Sequence, residues 1–272
     1  MGAAEQYRWW RSLGLAGTEA LTALFEEAVA ALQRSLTSIS PAGPDGSLWL
    51  PPVIERSVLE RAQYTEAFPH LLGDVRTTAQ DGPRVALAPA VCYFVYPWLA
   101  DSEISAAPRF DVAGYCYRHE ATTEPGRLRS FRMREFVAVG PAAEMHEWRD
   151  EWVDRCERFL ALLGLKVTVA PATDPFYGPG GRVLEYTQRE QELKFEFLAA
   201  LGDAGPATAI ASANRHKEHL GERFGIRLAD GSVAHSSCLA FGLERIVLAL
   251  IRAHGADRAG WPDIAAAGKG VA

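Results

Sequence analysis

Cysteine is scarce. Four in 272 residues, none in a CxxC pair, cannot form a disulfide framework, and each is a core thiol, a nucleophile or a metal ligand. Positive charge is also short: 28 Lys and Arg stand against 34 Asp and Glu, leaving a net charge of −6 and a pI near 5.7. That excludes a chain built throughout to grip nucleic acid, which needs a positive field, but leaves room for a local basic groove. No stretch approaches the roughly 18 uncharged apolar residues of a membrane span. The opening MGAAEQYRWW lacks a basic-then-apolar signal pattern, so a cytoplasmic location is expected. GxxxxGK[ST] and GxGxxG are absent, which removes the two common glycine-rich phosphate cradles, and neither GxSxG nor HExxH occurs. No internal repeat or low-complexity tract is visible.

What is present is an ordinary globular composition, 48% apolar and 23% charged, long enough for one large domain with a real core. One domain spanning residues 1–272 is expected. Thr18 to Ser38 carries Leu21, Leu24, Phe25, Ala28, Ala31 and Leu32 at helical spacing. Glu55 to Gln63, Ala142 to Leu163 and Leu239 to Ala253 read as further helices. Arg84 to Tyr96 reads as a buried strand ending in a bend at Pro97. Phe110 to Tyr117 and Ser130 to Val139 read as a strand pair joined by a long polar loop. Glu192 to Ala200, Thr208 to Ala213 and Ser232 to His235 read as three more strands. Asp174 to Gly181 is a Pro/Gly-rich loop. The expected class is α+β, on a mainly antiparallel sheet.

Five arginines crowd this strand pair: Arg118, Arg127, Arg129, Arg132 and Arg134, with Glu120 and Glu135 among them. Guanidinium groups on neighbouring strands can clamp a polyphosphate through bidentate contacts. A solvated, self-paired surface hairpin is the plainer alternative. Cys92, Cys116, Cys156 and Cys238 have no close Cys or His partner in sequence, and taken alone each reads as a buried thiol. His216 and His219 form HxxH, read as a solvated or capping pair rather than a metal site.

FDVAGYCYRHE (110–120) followed by GRLRSFRMREF (126–136) resembles motif 2 of class II aminoacyl-tRNA synthetases, and FGLER (241–245) resembles motif 3. Together with YTEAFPHLLG (64–73), PAVCY (89–93), DPF (174–176), KFE (194–196) and NRHKEHLG (214–221), the ordered set resembles the amino acid:[carrier protein] ligases. These are shortened relatives of the zinc-dependent seryl-tRNA synthetases of methanogens. The resemblance covers about residues 48 to 253.

The resemblance implies the class II synthetase catalytic fold, a six- or seven-stranded antiparallel sheet flanked by helices. It implies ATP-dependent adenylation of a small amino acid, glycine or alanine by default. The aminoacyl group then passes to the phosphopantetheine thiol of a carrier protein. No tRNA-binding part is expected, in keeping with the acidic charge. The family's zinc ligands fall on Cys92, Glu135 and Cys238, leaving a fourth position for the substrate's amino group. Arg118 is implied at the α-phosphate and Arg245 at the γ-phosphate, with Glu120, Arg127 and Leu128 along the nucleotide and Phe136 stacked on the adenine. The segment Ala209 to Ser212 and Lys194 would also touch ATP, and Glu196 is the implied Mg²⁺ carboxylate. Trp49 to Leu59 resembles motif 1, which implies a homodimer. Ala213, Arg215 and Leu220 stand where the family has aromatics, and the loop Val95 to Ala107 also differs, so the amino acid could be larger than the default. The alternatives are a seryl-type synthetase acting on tRNA and a non-catalytic paralogue that binds ATP or an amino acid.

Overall fold

A computed structural model of the chain describes residues 6–76, 84–120, 124–178, 180–202 and 205–271. Seven strands make the central sheet: β1 (Ser47–Leu50), β2 (Arg109–Tyr117), β3 (Ser130–Gly140), β4 (Thr168–Pro171), β5 (Lys194–Ala199), β6 (Thr208–Lys217) and β7 (His235–Gly242). Their spatial order is β4-β5-β6-β7-β3-β2-β1. Every neighbouring pair is antiparallel except β1 with β2, which is parallel. The expected α+β class and strand count are met.

Strand pleat decides which residues face where. On β3, Phe136 and Ala138 enter one core, whereas Met133, Val137 and Val139 enter another on the opposite face. The first core is roofed by three helices: α1 (Ala23–Thr37), α2 (Ala142–Leu162) and α4 (Leu243–His254). Thr22 caps α1 by accepting from the Phe25 amide, which satisfies an otherwise orphaned N–H. Helix α1 then turns Phe25, Ala28, Val29, Leu32 and Leu36 inward, matching the spacing read from sequence. The opposite face of the sheet holds the functional cavity beside a smaller core.

Three sequence expectations are corrected. Arg84 to Tyr96 is not one strand. Only Val85–Leu87 is extended, and a 3₁₀ turn at Cys92–Phe94 runs into a helical turn at Val95–Trp98. Pro97 sits in that first turn, where a missing N–H costs nothing. Second, Leu239 to Ala253 is not one helix, and Ser232 to His235 is not the strand. Strand β7 runs from His235 to Gly242 and α4 begins at Leu243. Both elements are buried nearly all round, so neither leaves a periodic signature where they meet. Third, Gly181–Glu190 forms a helix, α3, that the Pro/Gly-rich lead-in concealed.

Candidate active site

Three buried ligand groups meet on the cavity face. Cys92 comes from the 3₁₀ turn, Glu135 from the middle of β3 and Cys238 from β7. Their ligand atoms all lie within 4.8 Å of one another. The backbone N–H groups of Val91 and Cys92 donate to Glu135 Oε1 at 3.1 and 3.3 Å, fixing that carboxylate. Burial and the neighbouring Cys238 push the Glu135 carboxyl up to about 8. A hydrogen bond between the two thiols pulls Cys238 down and raises Cys92. Three acids crowding one dry point cannot all ionise unless a cation joins them. Two sulfurs and one carboxylate are a donor set suited to zinc, and three protein ligands leave a position open.

The triad lines a chamber of about 220 Å³ that adjoins one of about 560 Å³. Arg118, Lys194, Glu196, Ala209 and Arg245 line both. Ser212 belongs to the smaller chamber, Glu120 and Arg127 to the larger. Together the adjoining chambers have room for an amino acid beside a nucleotide.

Two arginines on the shared wall lack a carboxylate. Arg245 donates from Nε to Gly126 O (2.9 Å) and from Nη1 to Ala209 O (2.8 Å). Burial, together with Arg118 and Arg127, pushes it down to about 10. Gly126 is required here, because its φ is +77° and a Cβ would meet Leu201 at 2.7 Å and Arg245 at 3.2 Å. Arg118 donates to Pro89 O at 3.2 Å and lies over the Phe131 ring at 5.6 Å. Neither guanidinium has an ion-pair partner among the described residues. Half-buried cations held only by carbonyls and a ring face are suited to receive an anion.

Lys194 is different. Its Nζ lies 2.6 Å from Asp174 Oδ1 and 2.9 Å from Glu196 Oε1. Gln188 returns two hydrogen bonds with Asp174. Burial opposes ionisation of Asp174, but the Lys194 ammonium holds its carboxyl below the ordinary value.

Two sequence assignments fail. Phe136 does not reach the cavity: it is fully buried in the opposite core, edge-on to Trp152 and Phe241. The ring on the cavity side of β3 is Phe131. Leu128 lines a separate cavity of about 300 Å³ beside the N-terminal hairpin of Trp10–Ser12 and Glu19–Leu21. Nor do the five arginines form one clamp. Arg132 pairs with Glu244 and Glu26, and Arg134 with Asp111, all away from the cavity. Arg129 donates to Ala16 O and tethers its strand to the hairpin turn. His216 and His219 do not share a helix face, since His216 lies in β6 and His219 opens the next helix. Sequence reasoning missed Asp174, Gln188, Asn214 and His216 as cavity residues. The alternation of Ser212, Asn214 and His216 along β6 was the available signal.

No protein-family profile matches the chain. Amino acid–[acyl-carrier-protein] ligase 1 of Bradyrhizobium diazoefficiens is 37% identical over 281 residues, covering 93% of this chain and 85% of that one. The chain belongs to this family. Ligase 2 of the same organism is 34% identical over 277 residues, covering 93% of this chain and 83% of that protein. A type-2 serine–tRNA ligase of Methanothermobacter thermautotrophicus is more distant, 30% identical over 188 residues that make up 66% of this chain and 37% of that protein. The Methanopyrus kandleri seryl-tRNA synthetase, solved with an Aquifex aeolicus tRNA, superposes with a TM-score of 0.84 at 20% identity, over 98% of this chain and 60% of that one. A prolyl-tRNA synthetase from Cryptosporidium parvum superposes at 0.69 with 16% identity, over 91% and 51%. These likenesses establish the class II synthetase catalytic fold for this member of the amino acid–carrier protein ligases.

Proposed function

We propose that the chain activates an amino acid with ATP and loads it onto the phosphopantetheine thiol of a carrier protein. One observation carries this reading. The Cys92–Glu135–Cys238 cluster and the two carboxylate-free arginines open onto adjoining chambers that share a wall. Zinc held by Cys92, Glu135 and Cys238 would supply a Lewis-acid site that selects a neutral amino group over a second anion. Arg118 and Arg245 hold the triphosphate so that the substrate carboxylate oxygen attacks the α-phosphorus in line. The bond to pyrophosphate breaks as the new P–O bond forms, and the two guanidiniums take up charge that builds on the phosphoryl oxygens. No side chain acts as nucleophile. The carrier thiol then attacks the adenylate carbonyl, and AMP leaves.

Ala209 presents its carbonyl to Arg245, and Glu120 and Arg127 line the larger chamber beside it. Glu196 lines both chambers and would be the Mg²⁺ carboxylate, with Lys194 beside it at 2.9 Å. Phe131, with Arg118 over its ring, offers a flat apolar face to the adenine. Ligand thiols must be reduced, and all four cysteines are free, which supports a cytoplasmic location. No helix among the described residues is long and apolar enough to cross a membrane. We also infer a homodimer, supported by exposed Leu48 and Trp49 on the edge strand β1.

The deciding experiment measures ATP–pyrophosphate exchange with each common amino acid. The active substrate is then incubated with a phosphopantetheinylated carrier, and the thioester is sought by mass spectrometry. Exchange followed by a carrier thioester is expected. Exchange with charging of tRNA and no thioester would replace the reading with a synthetase, and no exchange at all with a non-catalytic binder.

A further inference from the structure

Strand β6 carries an irregularity next to the metal-ligand cluster. Arg215 pairs with Ser237 and Lys217 with Ser236, so His216 has no partner on β7. Lys217 adopts a left-handed φ of 54°, a conformation that non-glycine residues take only where their surroundings hold them in it. An extra residue of this kind bends the strand and re-aims its side chain, and such bulges gather beside active sites.

The bulge aims an imidazole at a sulfur. His216 Nε2 lies 3.7 Å from Cys238 Sγ. The other ring nitrogen, Nδ1, faces Ser236 Oγ at 3.1 Å and Tyr96 Oη at 3.2 Å. Tyr96 donates its hydroxyl proton to Ser236 Oγ at 3.2 Å. With Tyr96 donating to it, the Ser236 hydroxyl has its own hydrogen available for Nδ1, an arrangement in which Nε2 carries the hydrogen that faces the sulfur. Two residues earlier on the same side of β6, Asn214 Nδ2 donates to the same sulfur at 3.5 Å. No side-chain N–H reaches the Cys92 sulfur among the described residues. His216 is also outside the cluster whose ligand atoms lie within 4.8 Å of one another.

We propose that His216 and Asn214 are positioning residues that supply a pair of N–H hydrogen bonds to the Cys238 sulfur, orienting it as a metal ligand, and that the β6 bulge serves this purpose. The Tyr96–Ser236 pair fixes the tautomer that makes His216 a donor. Groups behind a first ligand typically set 10–100-fold of metal affinity. This inference rests on the zinc reading of the triad and adds that the two sulfurs are unequal ligands.

The test uses the full chain, stripped of metal and titrated with zinc against a chromogenic chelator. A parallel sample is loaded with Co²⁺, and its sulfur-to-metal charge-transfer band is recorded. Wild-type protein should bind one zinc per chain. His216→Leu should weaken binding about 10–100-fold and move the cobalt band to lower energy, because an unbonded sulfur gives up its electrons more readily. His216→Gln retains an N–H donor and should recover most of both effects, which a purely space-filling role would not require. Ser236→Ala leaves the ring in place, loses its orienting partner, and should shift affinity and band in the same direction by less. If His216→Leu does not fold, Ser236→Ala decides. Unchanged affinity and an unshifted band in the folded variants overturn the inference. X-ray absorption showing an imidazole bonded to the metal also overturns it. A wild-type chain that binds no zinc brings down the metal reading itself, a different failure from wild-type binding that the variants leave unmoved.

Discussion

The two faces of β3 use the same residue types to opposite ends. On the helix-covered face, Arg134 is 2% exposed and meets Asp111, itself fully buried, at 2.5 Å. Its remaining N–H groups go to Gln33 O and Thr37 Oγ1 on α1. Arg132 likewise meets Glu244 and Glu26. Every charge there is matched, and those arginines fasten α1 and α4 to the sheet. On the cavity face, Arg118 and Arg245 find only carbonyls and an aromatic ring, and Glu135 meets two sulfurs rather than a cation. A matched buried charge does structural work, whereas an unmatched one has to be completed by a ligand. Charge saturation, more than residue type, separates scaffold from site.

The largest effect that tests this contrast is on the cavity face. Arg245→Ala should lower amino-acid-dependent pyrophosphate exchange by about 10²–10³-fold, the usual loss when a transition-state donor is removed. Bound zinc and thermal stability should stay close to wild type, because no buried carboxylate is left alone. Unchanged exchange would end the phosphate role of Arg245. Cys92→Ala or Cys238→Ala should empty the metal site by elemental analysis, and zinc retained in both would end the triad assignment.

Arg134→Ala should show the reverse pattern. Leaving Asp111 buried without its cation costs about 3–5 kcal/mol of folding stability, read by denaturant titration. Exchange per folded molecule should be preserved. A variant that folds normally yet loses exchange would place Arg134 among the functional groups and erase the distinction between the faces.

How much of this was readable beforehand depends on the kind of signal. Helix α1 was legible because its apolar face repeats at 3.6 residues over four turns. Strands β2 and β3 were legible because polar residues bound them. The boundary between β7 and α4 was not, since residues 238–243 are apolar throughout and buried on both sides. Forty-three residues separate Cys92 from Glu135, and no local spacing brings Cys238 to them, so only the ordered resemblance pointed to the triad. The bulge that aims His216 depends on backbone pairing that no residue type announces. The error at Phe136 was avoidable on physical grounds. Successive side chains of a strand point to opposite faces, so a strand that turns Glu135 into the cavity must turn Phe136 away from it.

That parity supplies the smallest prediction. Phe131 and Phe136 lie on opposite faces of the same strand, one beside Arg118 and one in the helix-roofed core. Phe131→Ala removes the ring proposed for the adenine and the face on which Arg118 rests. With stacking worth about 1–3 kcal/mol per base, the KM for ATP in the exchange assay should rise about 10-fold, with a smaller change in kcat. Phe136→Leu should leave the KM for ATP alone and appear only as a modest loss of stability, because the ring fills a packed site against Trp152 and Phe241 and a smaller apolar side chain refills part of it. If Phe136→Leu raised the KM for ATP and Phe131→Ala did not, the adenine would have to sit against the helix-covered core, and the division of β3 into a structural face and a nucleotide face would be wrong.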